Sequence, residues 1–121
     1  MFDTPYCKVT YIDEKNAIFC QLKQFCKGDD YRDPFRYGAK LIEKYHPNTW
    51  ITDTTHGFEN EEEDTVWLLE EFVPKMIESS IEKIIFIIKN DSSLMDEILG
   101  QKKALEAFFN VELVEKREMI S

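Results

Sequence analysis

Asp53, Thr54, Thr55 and His56 stand in a row, and Glu59, Glu61, Glu62, Glu63 and Asp64 follow closely. Side chains of these types can do three kinds of chemistry. A strand-end carboxylate can accept a phosphoryl group, an imidazole between carboxylates can act as a general base or metal ligand, and an acidic run can dock a basic partner. Phosphoryl acceptance at Asp53 would need an acidic cluster holding magnesium after a first strand, in a chain that opens as a βαβ unit. This chain opens as a hairpin instead. His46 is the only other histidine, and neither imidazole stands at a recognised ligand spacing. Nucleophile-elbow and phosphate-loop patterns are missing, and Gly28, Gly38, Gly57 and Gly100 are dispersed. The sequence therefore assigns no catalytic residue, no metal and no cofactor. It leaves a contact set of Asp53, Thr54, Thr55, His56, Glu61, Glu62 and Trp67, in which Asp53 is expected to accept backbone N–H groups of its own turn.

Such a turn must be held by a strand before it and a helix after it. Residues 49–53 read as a short buried strand. Asn60 is a cap for a helix running to about Ser79, with Glu61 to Asp64 as a solvated first turn that complements the helix dipole. Val66, Leu69, Val73, Met76 and Ile77 form its expected core stripe, joined by Trp67 and Phe72 at the edges. Pro74 removes an interior hydrogen bond and predicts a bend. Trp50 and Trp67 are expected in or beside the core.

Upstream, residues 6–12 and 17–22 alternate around Asp13-Glu14-Lys15-Asn16, which predicts a β-hairpin. Pairing Ile12 with Ala17 sets Cys7 opposite Leu22, Val9 opposite Cys20 and Tyr11 opposite Ile18, all on one face. Cys7 and Cys20 are then small buried hydrophobes. Gly28-Asp29-Asp30 leads into a helix to about Tyr45, with a stripe of Tyr31, Phe35, Gly38, Ile42 and Tyr45, ended by His46-Pro47. Residues 81–89 are apolar and β-branched at their centre, as in a strand buried on both faces. Residues 94–109 read as a helix broken near Gly100, residues 111–114 as an edge strand, and the last seven residues as a mobile tail. This order predicts one α/β domain over residues 1–121. Its mixed β-sheet begins with an N-terminal antiparallel hairpin and continues through βαβ crossovers, with helices packed on it in two or three layers.

Composition narrows the partners. The 121 residues are 43% hydrophobic and 13% aromatic, enough for a single core. Fifteen basic against twenty-four acidic residues give a formal charge of −9, which repels nucleic acid and anionic lipid. No apolar run approaches the roughly twenty residues that span a bilayer, so no membrane insertion is expected. Three cysteines without metal spacing, and a start without a basic leader or apolar stretch, predict a reduced cytoplasmic protein.

Trp50-x-x-Asp53, then Trp67-Leu68-x-x-Glu71-Phe72-x-Pro74, then Lys83-Ile84-Ile85-Phe86-Ile87 resemble small bacterial proteins of the STAS/SpoIIAA-like family, more distantly related to the CRAL-TRIO lipid-binding fold. The resemblance spans residues 6–114 and is mainly architectural. Thr55 stands where such proteins often carry arginine, and Asn60-Glu61-Glu62-Glu63 lacks the phosphorylatable serine of anti-sigma-factor antagonists. The resemblance implies a non-enzymatic module that docks a protein partner, a second copy of the chain included, through residues 53–64. The alternative is a small-molecule or lipid-binding module with an apolar pocket between sheet and helices near Trp50, Trp67 and Phe72, for which a cavity of at least several hundred cubic ångströms is expected.

Overall fold

A computed structural model describes residues 1–120. Alternation of apolar and polar side chains sets the first strands. β1 (Phe2–Asp3), β2 (Cys7–Ile12) and β3 (Ala17–Leu22) pair antiparallel, and Cys7 faces Leu22, Val9 faces Cys20 and Ile12 faces Ala17, the register expected from the hairpin. Asn16 takes a left-handed conformation at the turn (φ 50°), which asparagine tolerates. β1 lies outside the expected strands, because two residues carry no readable periodicity. β4 (Thr49–Asp53), β5 (Lys83–Ile87) and β6 (Asn110–Val114) then add in parallel, and the six strands lie in the order β1-β2-β3-β4-β5-β6.

The crossovers are α1 (Asp29–Tyr45), a helical stretch over residues 62–77, and α4 (Met95–Leu105). A sheet that grows in one direction through crossovers of one hand carries its helices on one face. Buried side chains from all three helices accordingly share one cluster with Val9, Ile18, Cys20, Trp50, Ile84 and Phe86. The architecture has two layers. Gly38 of α1 sits on Trp50: a Cβ there would lie 2.4 Å from the indole Cη2, so only glycine admits this approach.

The second crossover departs from the expected stripe. It runs as α2 (Glu62–Trp67), a π turn (Leu68–Phe72) and α3 (Val73–Ile77), and the Val73 N–H reaches back to the Leu68 carbonyl. Pro74 lacks an N–H and its ring crowds the carbonyl four residues earlier, so the helix widens just ahead of it. The wider turn changes the phase of the helix. Leu68, Phe72, Val73 and Met76 are buried, while Val66, Leu69 and Ile77, expected in the core, are exposed.

The opposite face of the sheet carries a smaller cluster of Ala17, Phe19, Ile51, Ile85 and Ile87. Of the residues expected to form a mobile tail, residues 117–120 cover part of it, and Ser121 lies outside the described residues. Arg117–Met119 form a 3-10 turn, Ile120 packs on the cluster, and the Arg117 guanidinium lies 4.5 Å from the centre of the Phe19 ring. α4 runs unbroken through Gly100 and ends at Leu105. Nothing lies within 4 Å of a Cβ built at Gly100, so that glycine serves no close approach.

Candidate functional site

The turn after β4 closes on itself. Asp53 Oδ1 accepts hydrogen bonds from the Thr55 N–H at 2.9 Å and the Thr55 hydroxyl at 2.6 Å. Thr54 is buried, and its N–H and hydroxyl both donate to the Ile87 carbonyl, at 2.9 and 2.7 Å, tying the end of β4 to β5. Gly57 N–H donates to the Thr54 carbonyl at 2.9 Å, closing the turn. Thr55 and His56 are exposed. Among the described residues no group of three or more His, Cys, Asp or Glu side chains is placed to hold a metal ion.

The acidic run divides in two. Glu61, Glu62 and Glu63 are exposed, Glu61 standing at the N-cap of α2. Asp64, expected in solvent beside them, is 2% exposed: Oδ1 accepts from Arg32 Nε at 2.9 Å and Oδ2 from the Gly28 N–H at 3.1 Å. It clamps the start of α1 to α2, and Gly28 meets it with φ +60°, a conformation open to glycine. Asn60 caps no helix: α2 starts with Glu61 at its N-cap, and the Asn60 side-chain amide donates to the Tyr31 hydroxyl at 2.9 Å. Trp67 lies under two guanidinium groups, Arg32 at 5.7 Å and Arg36 at 5.3 Å from the ring centre, with Phe35 on another side. It joins α1 to α2, and the expected pocket at Trp67 is not formed there.

A partly open pocket does form between the sheet and all three helices, with about 60 Å³ of interior free volume. Its floor is Leu22, Trp50, Thr52, Thr54, Ile84 and Phe86 from the strands and the turn after β4. Its walls are Tyr31 and Phe35 of α1, the π turn with Leu68, Leu69 and Phe72, and the α4 side with Leu94, Ile98 and Leu105. Phe58, Asn60, Glu97 and Gln101 add to the lining. A water occupies about 30 Å³ in the liquid and a cavity of about 150 Å³ takes a benzene, so the interior space takes a group of about two heavy atoms. The aromatic wall is in mutual contact: Phe72 meets Trp50 and Phe35 edge-on with ring centres 5.1 Å apart in each case. Trp50 Nε1 donates to Thr52 Oγ1 at 2.9 Å, which satisfies the one polar atom of the indole without water.

Burial controls the protonation of nearby groups. Desolvation pushes the Cys7 thiol up to about 12, raises Cys20 and Cys26 too, and lifts the Tyr31 hydroxyl far above its usual range. All three cysteines are free and inert by this criterion. Desolvation also raises the Glu97 carboxyl, offset in part by the Asn60 backbone N–H and reinforced by the neighbouring Glu59.

Trp50 and Phe72 of the expected pocket therefore line the observed one, joined by Thr54 from the turn, but its volume of about 60 Å³ falls short of the several hundred expected, and Asp53, Thr55, His56, Glu61, Glu62 and Trp67 lie outside its lining. Glu97 and Gln101 escaped sequence reading. Their only signal was position: with Leu94, Ile98 and Leu105 they recur at helical spacing, two polar side chains inside an apolar stripe. No protein-family model, curated protein or solved structure matches the chain. Fold and site define an α/β domain with a mixed sheet, helices on one face and an apolar pocket beneath them. Among the described residues no helix is long and apolar enough to cross a membrane.

Proposed function

We propose that this chain is a STAS-like module, without catalytic machinery of its own, that binds a small apolar molecule. The observation that carries this reading is the pocket under the helices, with Trp50, Phe35 and Phe72 around it and about 60 Å³ of free space. Concave, aromatic-lined spaces with a few polar groups are where small ligands gain affinity. The π turn supports the same reading. Such turns cost regular helix geometry and recur at functional sites, and this one supplies Leu68, Leu69 and Phe72 to the lining.

Native mass spectrometry of protein purified without detergent tests it. The wild-type chain is expected to carry a small co-purifying molecule, and Leu68→Trp, which puts an indole into the free space, is expected to lose it while keeping the wild-type circular dichroism spectrum. A wild-type chain that flies only as the bare polypeptide counts against the pocket.

One observation favours docking of a protein partner as a second reading. Glu61, Glu62 and Glu63 are exposed and, among the described residues, none joins an ion pair. Unpaired surface charge of one sign steers association with a basic patch. Reversal of all three to lysine is expected to leave folding intact and abolish partner capture; unchanged capture would remove this reading.

A further inference from the structure

Resting on the pocket reading, we infer that the ligand is a small apolar amine, with its hydrocarbon part among Trp50, Phe72 and Leu68 and its ammonium group at the Glu97 carboxylate. The interior hydrogen bonds are the first support. Trp50 Nε1 is held by Thr52 at 2.9 Å, the Thr54 hydroxyl by the Ile87 carbonyl at 2.7 Å, and the Tyr31 hydroxyl accepts from Asn60 at 2.9 Å. These polar atoms already have partners, so the interior favours hydrocarbon, and a polar head group belongs where Glu97 and Gln101 enter the lining.

The sign of the charge is the second. Glu97 is the one charged side chain in the lining; no lysine, arginine or histidine contributes to it. Among the described residues no cation lies within ion-pair distance of Glu97, and Glu59 adds a second negative charge nearby. A ligand carboxylate would bring a third anion into a partly desolvated space. An ammonium would neutralise one, through a charge-assisted hydrogen bond strengthened by the low local dielectric. Burial raises the Glu97 carboxyl, as expected of an acid without its counter-ion, and a bound cation reverses that direction. The net charge of −9 also raises the local concentration of cations around the chain. The free volume of about 60 Å³ limits the enclosed part of the hydrocarbon to the branched end of a short chain and leaves no room for a ring, since a benzene-sized group needs about 150 Å³.

Three matched probes decide the matter: isoamylamine, isoamyl alcohol and isovalerate, each titrated into the full chain while the indole N–H signals are followed by NMR. Trp50 lines the pocket and Trp67 does not, so the second indole is an internal control. Isoamylamine is expected to move the Trp50 signal and not that of Trp67, and to bind about tenfold tighter than the alcohol, the factor one charge-assisted contact supplies. Isovalerate is expected to bind more weakly than either. Glu97→Gln should bring the amine down to the affinity of the alcohol, which binds both proteins alike. Equal affinity of amine and alcohol for the wild-type chain would overturn the amine assignment and leave the pocket standing. An amine preference that survives in Glu97→Gln would trace to overall charge and overturn it as well. If none of the three moves Trp50, the pocket reading itself falls, and the amine with it.

Discussion

Trp50 and Asp53 belong to the same five-residue strand, yet the regions they anchor treat polar groups in opposite ways. At the turn, Asp53, Thr54, Thr55 and Gly57 bond to one another or to Ile87, so the strand-end carboxylate and both hydroxyls are consumed in holding the backbone, and the exposed His56 is left, among the described residues, with no group beside it to complete a site. Under the helices, apolar side chains from the sheet, α1, the π turn and α4 enclose space, and Glu97 sits in the lining without a counter-ion. Reactive side-chain types do not make a site when their polar atoms hold the turn or stand alone in solvent. Free volume beside an uncompensated charge is the better indicator, because both leave something for a ligand to supply.

That contrast can be broken by mutating the two ends of β4. Trp50→Ala removes a side chain that is 2% exposed, stacks on Phe35 and meets Phe72 edge-on, and an expected loss of about 3–5 kcal/mol follows from the cavity it leaves. Urea denaturation measures it, and a loss below about 1 kcal/mol would mean that the aromatic wall is not what holds the helices down.

A pH series sharpens the same contrast, since the buried thiols lie on the helix side of the sheet. In the unfolded chain Cys7 ionises around its ordinary 9.0, whereas in the folded chain its value is about 12. The folded state therefore holds the proton longer. Stability is at full strength below pH 9 and is expected to fall from there up to pH 12, at about 1.4 kcal/mol per pH unit from this thiol alone. Cys20 and Cys26 shift in the same direction and steepen the slope. Urea midpoints between pH 8 and 10, compared with those of Cys7→Ala, isolate the single contribution; identical slopes would remove Cys7 as a cause.

The smallest effect is expected at the turn. Asp53→Ala deletes the two hydrogen bonds from Thr55 and should cost about 0.5–1.5 kcal/mol, with the amine affinity of the pocket unchanged. A cost as large as that of Trp50→Ala would erase the distinction between a local turn and a packed core. A changed affinity would couple the turn to the pocket through Thr54, which belongs to both.

Much of the frame was legible because it depends on local periodicity. The hairpin register, the α1 stripe through Tyr31, Phe35, Gly38 and Ile42, and the central strand at residues 83–87 follow from alternation and helical spacing, and the parallel crossovers follow from their order. Tyr45 was placed in that stripe and is 41% exposed, though its ring stacks on Tyr11 with centres 4.2 Å apart. Pro74 announced a disturbance of its helix. The sequence could not show that this would be a π turn that rotates Val66 and Leu69 outward and Leu68 inward. Likewise the acidic run at residues 61–64 is uniform in composition, and only the approach of Arg32 and Gly28 from a distant helix separates Asp64 from its neighbours.

By itself, then, the sequence determined the main helices and strands, the strand pairing of the hairpin, the mixed α/β class and the acidic net charge, because each is set by residues near one another in the chain or by composition. The tertiary structure alone decided which face the helices share, that space remains beneath them, and that Glu97 lies against it. Those are relations among Leu22, Trp50, Leu68 and Glu97, side chains from four separate elements, and no spacing along the chain encodes the distance between them.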